Sequence, residues 1–323
     1  MTQHTQIERR SLLLGAGALA VAWSFAPTAR AAGEVPISIG IPPTLSGLAV
    51  HHANDKGYFR EAGLDVKIVI LSAGSAAVPQ LLGGQLHFAA VDTVVTLVAR
   101  SKNIPLMFTA PNTVGIATPD RGYGNLVATA ASGAKTIKDL AGKTIAVNQI
   151  NGTVWALTRA TLDNAGVDSS KVQFLEVPPP QLLAALQQGR ADAAALAEPA
   201  VSMALTQGMR LITNVEATTM AGNHTFAFVS AEAWAKANGD AVRKFNAVMM
   251  RANAELNGSR ELAMAIAAKT TSVPPEVLSK VVMPNFGATP ISPETLQKVT
   301  EIAAKYGLVP ADKMPPLSSV IFK

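Results

Sequence analysis

The chain is 323 residues long, carries 27 Lys and Arg against 22 Asp and Glu for a formal charge of +5, and contains no cysteine. That length can build two domains with cores of their own. The mild charge, without a Lys/Arg cluster, excludes a nucleic-acid binder, and the missing cysteine excludes disulfides, thiol nucleophiles, thiolate metal sites and lipid attachment through an N-terminal cysteine.

The first 31 residues read as an export signal. Arg9-Arg10-Ser11-Leu12-Leu13 is a twin-arginine motif, an apolar run with Gly15 and Gly17 follows over residues 12–26, and Ala29-Arg30-Ala31 is a small-x-small cleavage signal. The apolar run is short and glycine-rich for a membrane span, although an uncleaved anchor is the alternative. Cleavage after Ala31 would remove Arg9, Arg10, Arg30 and Glu8, taking the formal charge from +5 to +3. Twin-arginine export implies a bacterial protein sent out folded. Without a lipid anchor, retention requires an outer membrane, so the expected compartment is a Gram-negative periplasm.

Residues 35–41 alternate with Ile37, Ile39 and Ile41 on one face and predict a strand, ended by Pro42-Pro43. Thr44-Leu45-Ser46-Gly47 leads into a helix over 48–56, stopped by Gly57. A strand over 66–71, a helix opened by Gly74-Ser75 and running to 82, a strand over 86–91, a helix capped by Asp92-Thr93 and running to 101, and a strand over 106–110 follow. This βαβα order predicts a mainly parallel sheet flanked by helices. After the turn-rich linker 118–125, residues 126–129 predict a crossover strand. The pattern then restarts: strand 144–148, helix 153–164 closed by Gly166, strand 172–177, the stiff Pro178-Pro179-Pro180, helix 181–188 ending at Gly189, and strand 191–196. Alanine disfavours strands, so the last is the weakest by propensity, favoured by its bounding Gly189 and Pro199. Near Ala221-Gly222-Asn223-His224 the chain crosses back into a return strand over 225–229. A helix over 240–256 and another capped by Ser292, with Pro293 first and Gly307 after it, complete the first unit.

The two units echo one another. Residues 84–94 align without a gap on residues 189–199, and Pro79-Gln80-Leu81-Leu82 precedes the first copy as Pro180-Gln181-Leu182-Leu183 precedes the second. Alanine-rich composition inflates such matches. Taken as a duplication, the echo predicts two lobes of one design: residues 32–125 with 225–323 as one, and 126–224 as the other. Two crossings between lobes make a hinge.

A family likeness rests on residues running in order from about 35 to 211. Lys56-Gly57-Tyr58-Phe59-Arg60-Glu61-Ala62-Gly63-Leu64-Asp65-Val66 resembles a signature of periplasmic solute-binding proteins for sulfonates, taurine, nitrate and thiamine-precursor pyrimidines. Leu82-Gly83-Gly84-Gln85-Leu86-His87-Phe88 resembles a second motif, with His87 where aspartate is usual. Ile137-Lys138-Asp139-Leu140-Ala141-Gly142-Lys143 and Gly189-Arg190-Ala191-Asp192 with Glu198-Pro199 resemble two more. The resemblance implies an α/β, two-lobed type II periplasmic-binding-protein fold that feeds the permease of an ABC importer. It implies no catalysis, no cofactor and a monomer that captures a small molecule. The same family includes pyrimidine-making enzymes that rely on a cysteine-rich motif, which this chain lacks.

In a parallel sheet, ligands sit beyond the C-terminal strand ends, where helix N-termini offer free N–H groups. Those ends carry Thr44, Leu45 and Ser46, then Ser75, Asp92 and Thr93 in the first unit, and Asn148, Asn151, Thr153 and Glu198 in the second. Each hydroxyl either caps its helix or meets a ligand oxygen. Converging helix N-termini favour an anionic ligand group, yet Asp92 and Glu198 carry the opposite sign. Three roles stay open for these acids: helix capping, hydrogen bonds between lobes, or a contact with a cationic or N–H-bearing part of the ligand. Capping is the reading for Asp92; for Glu198 it is a bond to the ligand or the facing lobe. Among the aromatic candidates, Tyr123 lies in the linker, Trp155 packs in the core or lines the cleft, and His224 and Phe226 flank the return crossover and line the cleft or the hinge. The expected ligand is small, polar and organic: a sulfonate, a carboxylate or a nitrogen heterocycle. His51 and His52 point to different helix faces and complete no metal site. The alternative function is an enzyme or a sensor on the same fold.

Overall fold

The computed structural model describes residues 34–71, 76–118 and 120–323, with residues 34–323 forming one compact unit. The expected signal segment and Ser75 lie outside the described residues. In chain order the strands are β1 (Val35–Ile41), β2 (Leu64–Ile70), β3 (Phe88–Asp92), β4 (Leu106–Val114), β5 (Gly124–Ala128), β6 (Thr144–Val147), β7 (Gln173–Glu176), β8 (Ala193–Ala197), β9 (Arg210–Asn214) and β10 (His224–Ala231). They form two five-stranded sheets, ordered β2-β1-β3-β10-β4 and β7-β6-β8-β5-β9. In each, one strand runs antiparallel at the fourth position: β10 between β3 and β4, and β5 between β8 and β9. That strand is in both cases the one that has crossed from the other sheet. The fold is therefore two-lobed α/β, each lobe a mainly parallel sheet flanked by helices.

The echo occupies equivalent places. β3 and β8 both hold the third position, and the helices before them end at Gly84 and Gly189 with φ of 70° and 67°. Both glycines need the left-handed region that a side chain disfavours. His87 and Asp192, aligned in the echo, do the same work. Ser38 N donates to His87 Nδ1 at 2.9 Å, and Thr144 N donates to Asp192 Oδ2 at 2.9 Å. Each side chain satisfies a backbone amide of the neighbouring strand, at the end of the sheet away from the strand C-termini. These two positions tie strand to strand rather than distinguish ligands.

Most expected elements form within two residues of their predicted ends. β4 extends past Ala110 through Pro111 because it is an edge strand of its sheet, where the missing proline N–H interrupts no central ladder. β8, built of Ala193-Ala194-Ala195-Leu196-Ala197, forms despite its poor propensity because it is buried between β6 and β5, with Leu196 at 2 % exposure. The helix Ala200–Thr206 and strand β9 were not anticipated.

The lobes differ in their filling. The first has an aromatic centre: Phe88 and Phe245 stack with ring centroids 3.9 Å apart and 10° between planes, and Phe228 meets Phe245 edge-on at 5.2 Å. The second sheet packs one face on the smaller side chains of Ala146, Ala185, Ala191 and Ala194 with Leu182, Leu186 and Leu196. The two crossovers are hydrogen-bonded to each other. Gly115 N donates to Asn223 O at 3.0 Å, and Gly222 N donates to Gly115 O at 2.9 Å. A Cβ at Gly115 would lie 2.5 Å from the Met220 carbonyl oxygen, so only glycine permits this approach.

Candidate functional site

A cavity of about 490 Å³ lies where the C-terminal ends of β1, β3, β6, β7, β8 and β9 meet the starts of β5 and β10. This is the position parallel strands and their following helices dictate for a ligand, and the volume suits a small organic molecule. Pro42, Pro43, Thr44 and Ser46 follow β1, Asp92 ends β3, and Thr225 and Phe226 open β10. The second sheet supplies Asn148, Gln149 and Thr153 after β6, Pro179, Pro180, Leu182 and Leu183 after β7, and Ala195 to Met203 around the end of β8. Val215 and Glu216 follow β9, and Tyr123, Gly124 and Asn125 enter from the first crossover. Most of this wall is proline and aliphatic side chain. Among the described residues, no lysine, arginine or histidine lines it.

Asp92 caps its helix and reaches across to the other lobe. Its Oδ1 accepts from Val95 N at 2.7 Å, and Thr153 Oγ1 donates to the same oxygen at 2.8 Å. Thr153 Oγ1 in turn accepts from Val94 N at 3.1 Å. One hydroxyl thus joins the N-termini of the helices Thr93–Ser101 and Thr153–Asn164. Burial pushes the Asp92 carboxyl above its ordinary pKa, against the pull of these donors.

Glu198 makes the corresponding link on the opposite side. It is fully buried, and its Oε1 accepts from Arg121 Nη2 at 2.6 Å, from Val282 N at 3.1 Å and from Ser202 Oγ at 3.1 Å. Its Oε2 accepts from Ser202 N at 3.0 Å, in the first turn of the helix Ala200–Thr206. Of the three roles left open by the sequence, capping and interlobe bonding therefore both apply to both acids. Arg121, which sequence reasoning missed, also donates to Ser202 Oγ at 2.6 Å. It lines a smaller recess of about 170 Å³ with Ser202, Leu205, Thr206 and Lys280.

Thr44 and Ser46 line the cavity with their hydroxyls 2.9 Å apart. Asn148 lines it too, and its Oδ1 is buried without a protein partner. Four sequence candidates do not line it. Leu45 is buried in the first lobe's apolar core, because its side chain points back from the strand-to-helix turn. Thr93 is fully buried and donates to the carbonyls of His224 and Thr225, tying its helix to β10. Asn151 is an exposed turn residue with φ of 61°, a left-handed position asparagine tolerates. His224 is fully buried at the start of β10 against Gly287, with its imidazole pushed down to a pKa of about 4 by burial and so neutral. Trp155 packs in the core, edge-on to Phe174 and Tyr306 with centroids at 5.9 and 6.2 Å, and does not line the cavity. Tyr306 follows the helix Pro293–Lys305 as its C-terminal cap, and its hydroxyl donates to Asp163 Oδ2 at 2.7 Å, a further bond between lobes.

Glu216 is the residue sequence reasoning overlooked. It is 9 % exposed, lines the cavity, and its carboxylate has no hydrogen-bond or ion-pair partner among the described residues. Burial raises its pKa to about 7. The nearby Tyr123 hydroxyl is also pushed up, first by burial. The signal in the sequence was an acid two residues beyond the apolar Leu211-Ile212 strand, the same strand-end placement that singled out Asp92 and Glu198.

Comparison with known proteins gives the family and the fold. The profile of the NMT1/THI5-like family matches residues 47–257. The chain belongs to that family. A protein of Escherichia coli K12 named as an aliphatic-sulfonates-binding protein is 26 % identical over 268 residues, covering 83 % of this chain and 79 % of that one. The taurine-binding periplasmic protein of the same organism is 29 % identical over 166 residues, half of this chain and 48 % of that one. Among solved structures, the alkanesulfonate-binding protein SsuA of Xanthomonas axonopodis pv. citri bound to MOPS superposes with a TM-score of 0.75 at 21 % identity, over 90 % of this chain and 99 % of that one. The nitrate-binding protein NrtA of Synechocystis PCC 6803 gives a TM-score of 0.75 at 15 % identity, over 89 % and 86 %. These two share the fold of this family member.

Proposed function

We propose that this chain is the solute-binding component of an ABC importer, acting in the periplasm without catalysis. The observation that carries the reading is the strand-end cavity with interlobe hydrogen bonds beside it, Asp92 to Thr153 and Glu198 to Val282. The sheet of β1 to β4 with β10 acts as one lobe and the sheet of β5 to β9 as the other, so the boundaries fall just before Gly124 and His224 rather than after Asn125 and His224. The paired crossovers at Gly115 and Gly222 form the hinge between them. Ligand entering the open cleft meets both walls, and closure is favoured because the bridging bonds and the ligand contacts form together. The closed surface is what a membrane permease distinguishes from the open one.

The relatives named for sulfonates and taurine support a small organic ligand, within the wider class of sulfonate, carboxylate or nitrogen heterocycle. No helix among the described residues is long and apolar enough to cross a membrane, consistent with a separate permease partner. Thr44, Ser46, Asn148 and Thr153 are the candidate polar contacts, and Ser75 remains a candidate on sequence grounds. The test is a screen of these three ligand classes by thermal shift, followed by small-angle scattering. A rise in melting temperature with a smaller radius of gyration is expected for a cognate ligand. Binding without compaction would overturn the hinge mechanism, and turnover of a bound compound would overturn the non-catalytic reading.

A further inference from the structure

The helix N-termini that make such a cleft attractive to anions are partly occupied by the protein itself. Asp92 accepts from Val95 N, the Thr153 hydroxyl accepts from Val94 N, and Glu198 accepts from Ser202 N. The nearest arginine, Arg121, is engaged by Glu198. What the cavity leaves unsatisfied is of the opposite kind. Glu216 as a residue is nine-tenths buried and lines the cavity, its carboxylate has no hydrogen-bond or ion-pair partner among the described residues, and Oε1 lies 3.8 Å from where a Cβ on Gly124 would stand. Asn148 Oδ1, also on the cavity wall, is a buried acceptor without a partner among the described residues. A sulfonate entering here meets the hydroxyls of Thr44 and Ser46 but no cationic side chain among the described residues, and it faces the Glu216 carboxylate. A nitrogen donor finds acceptors that nothing else satisfies, and a buried acceptor without a partner is a standing penalty that such a donor relieves.

We propose that Glu216 sets the ligand class: its carboxylate takes a cationic or N–H-donating nitrogen, while the ligand's apolar body lies against Pro42, Pro179, Leu183 and Met203. This rests on the solute-binding reading and narrows it from three ligand classes to one, a basic amine, amidine or N–H heterocycle. Asn148 supplies a second polar contact, and the proline and aliphatic wall excludes water around the ion pair, which strengthens it.

Calorimetry on the purified full chain tests this with two size-matched panels. One holds amines, amidines and aminopyrimidines, such as phenethylamine and benzamidine; the other holds sulfonates and carboxylates, such as benzenesulfonate, taurine and phenylacetate. The tightest ligand is expected from the nitrogen panel. Glu216→Gln is expected to weaken it by about tenfold or more, the loss of one charge-assisted hydrogen bond, with Glu216→Asp retaining part of the affinity. Because the Glu216 side chain makes no bond among the described residues, both variants should melt no lower than the wild type, which separates lost binding from lost folding. If the tightest ligand is a sulfonate or carboxylate, or the best nitrogen ligand binds Glu216→Gln as tightly as wild type, this inference fails and the solute-binding reading stands. If neither panel binds or compacts the protein, both fail together.

Discussion

The C-terminal ends of β3 and β8 are the same place in two copies of one unit, yet the acids there are one residue out of step. Asp92 is the last residue of β3 and bonds the amide three residues on; Glu198 follows the last residue of β8 and bonds the amide four residues on. In a strand a shift of one turns a side chain to the other face. Glu198 is longer by a methylene and enters through the following turn, so it still reaches its helix. Each acid then bonds across the molecule, Asp92 to Thr153 and Glu198 to Val282. The lesson is that these acids serve helix capping and lobe pairing first, whereas the acid after β9, which has no such employment, is the one free for a ligand.

The comparison breaks most sharply at Glu198. Glu198→Ala removes four accepted hydrogen bonds and leaves Arg121 without its carboxylate, and unfolding in urea should show a loss of about 3 kcal/mol. Asp92→Ala removes a cap and the Thr153 bond, and should cost about 1–2 kcal/mol. Equal losses would mean that the two acids are interchangeable.

Glu216 gives a pH signature of its own. Its folded pKa of about 7 stands above the ordinary 4.5, so the ligand-free folded state holds the proton more tightly than the unfolded chain. The corresponding stability is complete below about pH 4.5 and is lost as pH rises to about 7. Asp92, also raised, contributes in the same direction, and it, Tyr123 and the Arg121-paired Glu198 are the other ionisable groups lining the cavity. Glu216→Gln should therefore leave stability unchanged at pH 4 and raise it at pH 8, by at most about 3 kcal/mol. Parallel stability curves for the two proteins between pH 4 and 8 would contradict the buried, unpartnered carboxylate.

The smallest effect sharpens the likeness rather than the difference. His87→Ala and Asp192→Ala each leave one strand amide without its acceptor, and should each lower stability by about 1 kcal/mol with ligand affinity unchanged. A selective loss of affinity in either variant would give these positions a part in ligand binding.

The order of elements was legible in the sequence because periodicity, proline and glycine are local signals. The Ile37, Ile39, Ile41 alternation and the Ser292-Pro293 helix start each need only a few residues to be read, and both form as expected. The alanine strand β8 was readable from its bounding Gly189 and Pro199 more than from its own residues. β9 escaped notice because its half-buried Leu211-Ile212-Thr213 carries little alternation. Strand-end placement likewise pointed to Thr44, Ser46, Asp92, Asn148, Thr153 and Glu198, all of which line the cavity. It could not separate them from Leu45, Thr93, Asn151 and His224, which share the same segments and point elsewhere.

By itself, then, the sequence determined that two similar α/β units are joined by two crossings, and which strand ends face one another. Only the tertiary structure decided what the acids do. A carboxylate's role depends on whether donors from another segment reach it, and Arg121, Thr153 and Val282 are distant in the chain from the acids they meet. Glu216 is distinguished by a buried place with no such donor among the described residues, a property that exists only after the chain has folded around it.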